Sequence, residues 1–253
     1  MISGILGHPL TNPRSIKIWK KYFKKKKISS KMLKFDIRPK NLNNFFNFIR
    51  NEQKFRASAV TMPYKKKVLK FLDKIDDFAK KAGSVNLIIK KNNKLIGHNT
   101  DVYGAYCSIQ YKIRLYKKII IIGLGGSGQA IFNFLSNKFK KKNFYLISST
   151  FKKKKTSNVF VLKKLTKKEL SEKILIINCT PLGSNLKKIF LKKTPIKKDL
   201  IKKIKKGSLI FDIIYSPKVT IFSKECKKNN LEYLNGIKMN TLQALRALKL
   251  AFN

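Results

Sequence analysis

Two short segments carry residues able to move a proton. The run Ser58-Ala59-Val60-Thr61-Met62-Pro63-Tyr64-Lys65 supplies a hydroxyl and a lysine, and Gly97-His98-Asn99-Thr100-Asp101 adds an amide and a carboxylate. A lysine ammonium is a compact charge with three donors on a flexible stem. A carboxylate within reach can orient it and accept from the same substrate hydroxyl. Such a set can bind a polyhydroxylated acid and transfer a proton on one of its oxygens. Each residue alone carries little weight. Lys65 precedes Lys66 and Lys67, as a surface lysine would, and Asp101 could simply cap a helix starting at 102.

A glycine-rich turn supplies the second chemistry. Ile119-Ile120-Ile121-Ile122-Gly123-Leu124-Gly125-Gly126-Ser127-Gly128 sets Gly123, Gly125 and Gly128 in a G-x-G-x-x-G pattern between an apolar strand and a helix. The first glycine allows the tight turn and the second lets backbone approach a pyrophosphate. The third lets helix pack on strand, and the helix N-terminus attracts the phosphates. An NAD site usually ends its next strand with Asp or Glu. Here that strand reads Leu146-Ile147-Ser148-Ser149-Thr150, lysines fill 152–155, and no acidic residue lies between Asp101 and Glu169. Cations without a carboxylate favour the 2′-phosphate of NADP. Substrate-binding residues ahead of a nucleotide fold imply an oxidoreductase.

The elements that must position these groups follow from hydrophobic period. In the first part, strands are predicted at 2–6 and 31–37 and helices at 15–23 and 42–51. A short apolar run, 57–62, stops at Pro63, which suits the first turn of a following helix. Residues 85–89 and 94–96 around Asn92-Asn93 read as a hairpin. After Asp101 the pattern changes. A helix at 102–110 precedes apolar strands at 118–122, 144–148, 175–178 and 209–214. These alternate with helices at 127–139 and 220–228, and the last helix spans 239–252. Continuous apolar strands separated by helices imply a parallel sheet covered on both faces.

Composition bounds the class. The chain has 253 residues, 43% of them hydrophobic, so it can bury one large core or two modest ones. No apolar run approaches the roughly 20 residues of a membrane span. The apolar start is too short for a signal peptide, so a cytoplasmic protein is expected. The net charge of +47 would suit a nucleic-acid binder. Nearly all of it is Lys, though, spread along the whole chain and accompanied by abundant Ile, Asn and Phe, whose codons are also AT-rich. A dedicated reader concentrates Arg and aromatic residues on one element. The charge is therefore read as compositional drift, with weak polyanion association and no specific nucleic-acid partner. Cys107, Cys179 and Cys226 are widely spaced, and with only His8 and His98 no metal site is expected.

Taken in order along the chain, these motifs resemble the shikimate dehydrogenase family. Gly7-His8-Pro9-Leu10 with Ser15 is similar to its N-terminal substrate loop, and Val60-Thr61-Met62-Pro63-Tyr64-Lys65 to its catalytic-lysine motif. Gly83-Ser84-Val85-Asn86 and Asn99-Thr100-Asp101 match the next two. Ile177-Asn178-Cys179-Thr180-Pro181-Leu182-Gly183, Phe211-Asp212-Ile213-Ile214-Tyr215 and Gly236-Ile237-Lys238-Met239 with Gln243-Ala244 follow the nucleotide loop. The resemblance implies NADPH-dependent reduction of 3-dehydroshikimate to shikimate, a step toward chorismate and the aromatic amino acids. It implies an α/β fold in which an N-terminal substrate-binding domain (1–101, joined by the helix at 237–253) accompanies a Rossmann-like NADP domain (102–236), with the active site in the cleft between them. The protein is expected to act as a monomer or homodimer. Lys65 and Asp101 would be catalytic. Thr61, Asn86 and Gln243 would bind ring hydroxyls, and Ser15 and Tyr215 the carboxylate. The cofactor would meet Gly123, Gly125, Gly126, Ser127, Gly128, Ser149, Thr150, Lys152, Thr180, Ile213 and Gly236.

The chain departs from the family pattern at several points. Pro13 stands where a serine is usual in the substrate loop, Ile16 where proline follows, and Ala59 where asparagine precedes the Val-Thr pair. Ser149 replaces the arginine that commonly clamps the adenosine phosphate, and Gln129 a basic residue after the glycine loop. Two alternatives stay open: an enzyme that also takes quinate or uses NAD, and a non-catalytic, basic, nucleic-acid-associated descendant.

Overall fold

The computed structural model describes residues 1–11, 13–148 and 157–253. The chain divides into two compact units, one built from residues 1–104 and 241–253 and the other from 105–240.

In the first unit the order is β1 (Ile2–Gly7), α1 (Arg14–Lys26), β2 (Lys31–Asp36), α2 (Leu42–Asn51), β3 (Phe55–Val60), β4 (Lys74–Ile75), α3 (Asp77–Ala82), β5 (Leu87–Lys91) and β6 (Lys94–His98), and α4 (Asp101–Ile109) begins here. The sheet runs β2-β1-β3-β5-β6-β4. Strands β2, β1 and β3 are parallel, while β5 is antiparallel to both β3 and β6. The predicted hairpin is present. Asn92 and Asn93 both take positive φ, 49° and 57°, as a two-residue turn between right-twisted strands requires. Side chains alternate between the sheet's faces. Leu6, Val60 and Ile88 pack with Phe45, Phe46 and Ile49 of α2. Ile5, Ala57, Leu87 and Ile89 meet Trp19 and Phe23 of α1 together with Ala244, Ala247, Leu248 and Ala251 from the end of the chain. Each fully buried large side chain contributes about 1.5–3 kcal/mol, which fixes the segment carrying Gln243 over this sheet.

The second unit contains β7 (Lys118–Ile122), α5 (Gly126–Lys138), β8 (Asn143–Ile147), β9 (Val159–Leu162), β10 (Ile174–Asn178), α6 (Lys188–Leu191), α7 (Lys198–Ile201), β11 (Leu209–Asp212), α8 (Ile221–Lys228) and β12 (Glu232–Leu234), and α9 (Ile237–Phe252) starts in it. Its sheet is parallel throughout, in the order β12-β11-β10-β7-β8-β9. The order reverses between β7 and β10. In such doubly wound sheets ligands bind at that switch point, beyond the carboxyl ends of the strands. Ile119 and Ile121 face one core with Ile131, Phe132 and Leu135, and Ile120 and Ile122 face the other with Phe222 and Cys226. Coverage on both faces is why β7 reads as unbroken isoleucine.

Three short strands, β4, β9 and β12, give too little periodic signal to be anticipated from sequence. The helix expected at Pro63 is replaced by a turn and a 3₁₀ helix, Lys67–Phe71. Tertiary pairing interrupts it: the Lys65 carbonyl accepts from the Val85 N–H at 2.7 Å. The strand expected through residue 214 ends at Asp212, because the Ile214 N–H turns back onto the Asp212 carboxylate at 3.1 Å.

Candidate active site

Lys65 lies in the turn that follows β3. The Thr61 N–H donates to the Leu6 carbonyl at 2.8 Å and the Tyr64 N–H to the Thr61 carbonyl at 2.9 Å. Tyr64 is fully buried and its hydroxyl donates to the Ile37 carbonyl. This anchor explains an aromatic residue directly before the lysine. Asp101 opens α4, where a carboxylate is favoured by the helix dipole. Its N–H donates to Asn99 Oδ1 at 3.1 Å, and the Asn99 amide donates to the Ser84 carbonyl at 3.0 Å.

The two segments meet. Lys65 Nζ donates to Asp101 Oδ2 at 2.6 Å, with the side chains 18% and 9% exposed. Asn86 Nδ2 donates to the other carboxylate oxygen at 2.9 Å and to Thr100 Oγ1 at 3.0 Å. Gln243 Oε1 accepts from Thr100 Oγ1 at 3.2 Å and stands 3.5 Å from Asn86 Nδ2. The Thr100 N–H completes the set with a 2.7 Å bond to Asn86 Oδ1. Lys65, Asp101, Asn86 and Gln243, four of the residues singled out from the sequence, thus form one hydrogen-bonded cluster with Thr100. The pair is mostly desolvated, so removing one partner would leave a buried charge at a cost of about 3–5 kcal/mol.

Thr61 lies just beyond β3, four residues before Lys65, and its methyl group packs where a Cβ on Gly7 would sit, 2.5 Å away. Ser15 is buried in the first turn of α1, after Pro13, whose φ of −69° suits a helix start. The intervening loop is tied down from β2. His8 Nδ1 pairs with Asp36 Oδ1 at 2.7 Å and the Leu10 N–H donates to Asp36 Oδ2 at 3.1 Å. The His8 bond, then the Leu10 N–H, holds the Asp36 carboxyl below the usual range.

In the second unit the glycine loop leads from β7 into α5. Gly123 has φ +87°, and a Cβ there would lie 2.7 Å from Thr180 Cγ2. A Cβ on Gly128 would lie 2.0 Å from the Gly123 carbonyl, so only glycine allows this turn to close on its helix. At Gly125 a Cβ would meet nothing within 4 Å among the described residues. The backbone of Gly125, which precedes α5, is therefore left uncovered by the described residues, as close approach of a diphosphate requires. These residues fit a dinucleotide. Ile213 and Tyr215 follow β11, and a Cβ on Gly236 would fall 1.9 Å from the Ile213 carbonyl, which locks these two segments together. Ser149, Thr150 and Lys152 lie outside the described residues. Among the described residues there is no group of three or more His, Cys, Asp or Glu side chains suited to a metal, and no helix long and apolar enough to cross a membrane.

Residues 5–88 match the family model for the shikimate dehydrogenase substrate binding domain. The chain is 34% identical to the NADP(+) shikimate dehydrogenase of Methanococcus vannielii over 94% of its own length and 87% of the relative's. The corresponding figures for the Clostridium beijerinckii protein are 35%, 96% and 89%. The chain belongs to the shikimate dehydrogenase family. A crystal structure of a shikimate dehydrogenase in complex with NADP+ superposes with a TM-score of 0.85 at 28% identity, covering 99% of this chain and 89% of that one. The shikimate dehydrogenase of Aquifex aeolicus gives 0.84 at 26%, covering 100% and 92%.

In this shikimate dehydrogenase family member Thr100, which no sequence motif marks as a site residue, ties Asn86 to Gln243. Its signal lies inside Asn99-Thr100-Asp101, where a threonine between two more conspicuous polar residues does not stand out. Asn178 and Asp212 likewise sit inside sequence motifs that by themselves assign them no role. A single polar residue ending an apolar strand was the mark of each.

Proposed function

We propose that this protein is an NADP-dependent shikimate dehydrogenase that reversibly reduces 3-dehydroshikimate to shikimate. The observation that carries the reading is the 2.6 Å Lys65–Asp101 pair, braced by Asn86, in a chain of this family. Bound NADPH supplies a hydride to the carbonyl carbon. Lys65 donates a proton from Nζ to the carbonyl oxygen in reduction and takes it back in the reverse direction. Asp101 holds the Lys65 ammonium in place and accepts from the product hydroxyl. Asn86, Thr61 and Gln243 hydrogen-bond the ring hydroxyls, while Ser15 and Tyr215 donate to the substrate carboxylate. Gly123, Gly125, Gly126, Ser127 and Gly128 hold the pyrophosphate, with Thr180, Ile213 and Gly236 beside the cofactor; Ser149, Thr150 and Lys152 complete the proposed cofactor-binding set. The reaction would serve chorismate and aromatic amino-acid synthesis in the cytoplasm, by a monomer or homodimer without a nucleic-acid partner.

The test is NADPH oxidation with 3-dehydroshikimate by wild type and Lys65→Ala. Wild type should turn over, and the variant should lose about 10²–10⁴ in kcat. Folded but inactive wild type would sink the proposal. Quinate and NADH in the same assay separate the related activities.

A further inference from the structure

Asp212 and Asn178 end adjacent strands of the second unit and are both completely buried. Neither can touch a ligand, yet together they organise both segments that leave those strands. Asp212 Oδ1 accepts from Asn178 Nδ2 at 2.9 Å and from the Ile214 N–H at 3.1 Å. Asp212 Oδ2 accepts from the Tyr233 hydroxyl of β12 at 2.6 Å. Asn178 Oδ1 in turn accepts from Thr180 twice, from its N–H at 3.0 Å and its hydroxyl at 2.7 Å. The Asn178 carbonyl accepts from the Ile213 N–H at 3.1 Å. Thr180 packs directly on Gly123, the first residue of the nucleotide turn, and the Ile213 carbonyl packs on Gly236.

A buried carboxylate is costly unless its hydrogen bonds are satisfied, and here each partner belongs to a different strand end or loop. The arrangement is a brace linking β10, β11 and β12. We propose that Asp212 is a positioning residue that, through Asn178, seats Thr180 against the Gly123 turn and fixes the Ile213–Tyr215 path, thereby setting affinity for the dinucleotide. This rests on the reading that the Gly123–Gly128 turn holds the dinucleotide.

The deciding measurement is the Kd of NADP+ for the full-length protein, read from quenching of its intrinsic fluorescence at pH 8, alongside circular dichroism of each variant. Asp212→Asn keeps the Oδ1 acceptor for Asn178 and Ile214 and should bind within about threefold of wild type. Asp212→Ala should weaken binding about tenfold, the loss of roughly one net hydrogen bond's worth of positioning, and raise KM for NADPH while kcat at saturation changes less than threefold. Should Asp212→Ala fail to fold, Asn178→Ala tests the same link from its other end, with the same tenfold loss expected. Wild type binding NADP+ with the folded alanine variant equal to it overturns the inference alone. Wild type that binds no NADP+ overturns the functional reading and this inference with it. Equal weakening in Asp212→Asn and Asp212→Ala would also refute the brace, because it would tie the effect to charge and not to the Oδ1 acceptor.

Discussion

Substituting Asp212 by Asn should change how stability depends on pH, and the sign is opposite to that of most carboxylates. Burial pushes the Asp212 carboxyl from 3.8 up to about 6, against the pull of the Tyr233 hydroxyl, the Ile214 N–H and the Asn178 amide. The folded state therefore holds the proton more tightly than the unfolded chain. Stability contributed by this group is greatest in acid and is lost as pH rises through about 6. The displacement corresponds to about 3 kcal/mol in total, of which about 2 kcal/mol falls between about pH 4.5 and 8. The other titratable groups against the carboxylate stay silent in that window. Burial drives Cys226 of α8 up to about 12 and Tyr233 of β12 upward as well. Asn at 212 is neutral at every pH and keeps the same shape. Urea unfolding of both proteins, followed by circular dichroism at about pH 4.5, 6 and 8, isolates the effect, because all other carboxylates are common to the pair. The stability of Asp212→Asn relative to wild type should rise by about 2 kcal/mol across the series. A difference that stays constant to within about 0.5 kcal/mol, or that falls with pH, would refute the reasoning and mean that the hydrogen bonds to the Asp212 carboxylate match or outweigh the effect of burial.

The first-unit cluster predicts that Asp101→Asn, which removes the 2.6 Å ion pair while keeping an acceptor for Asn86, lowers kcat about a hundredfold. Steady-state assays would show this, and a loss below fivefold would remove Asp101 from proton transfer. The two glycines of the nucleotide turn should separate cleanly. Gly125→Ala meets no atom of the described residues within 4 Å, so its melting temperature should match wild type while the Kd of NADP+ rises. Gly128→Ala places a Cβ 2.0 Å from the Gly123 carbonyl and should lose about 1–3 kcal/mol of stability or more, visible as a lower melting temperature. The +47 charge should aid capture of an anionic substrate and cofactor, so kcat/KM should fall as salt is raised from low ionic strength. Independence from salt would leave the charge without a role in encounter.

The fold was legible where one physical signal dominated. Four consecutive isoleucines can only be buried on both faces, which announces a central parallel strand, and the glycines after it announce the turn. Asn92-Asn93 declares a hairpin because two adjacent residues must take positive φ. The helix misread at Pro63 shows the limit of local rules. Proline suits a first helical turn, but the Lys65 carbonyl pairs with Val85, a partner twenty residues away. The strand end at Asp212 was misplaced for a similar reason, since Ile214 is apolar but its N–H belongs to a carboxylate.

The candidate site divides along the same line. Lys65 and Asp101 stand out by residue type, but what makes them a pair is the Val85-Asn86 segment, which bonds the Lys65 carbonyl on one side and Thr100 and Asp101 on the other, and spacing alone does not reveal it. Thr100 and Asn178 have ordinary types, and their weight comes from the partners they join: Asn86 to Gln243 in one unit, Asp212 to Thr180 in the other. A connecting residue has no chemistry of its own to advertise. The chain's heavy lysine load makes this sharper. The lysines are spread along the whole chain, whereas the buried polar groups in both networks are mutually satisfied. An unsatisfied buried donor or acceptor costs about 1–3 kcal/mol, whereas an exposed lysine costs almost nothing. The polar residues at the ends of apolar strands are therefore where this sequence had least freedom to drift, and they are the positions from which its chemistry is best read.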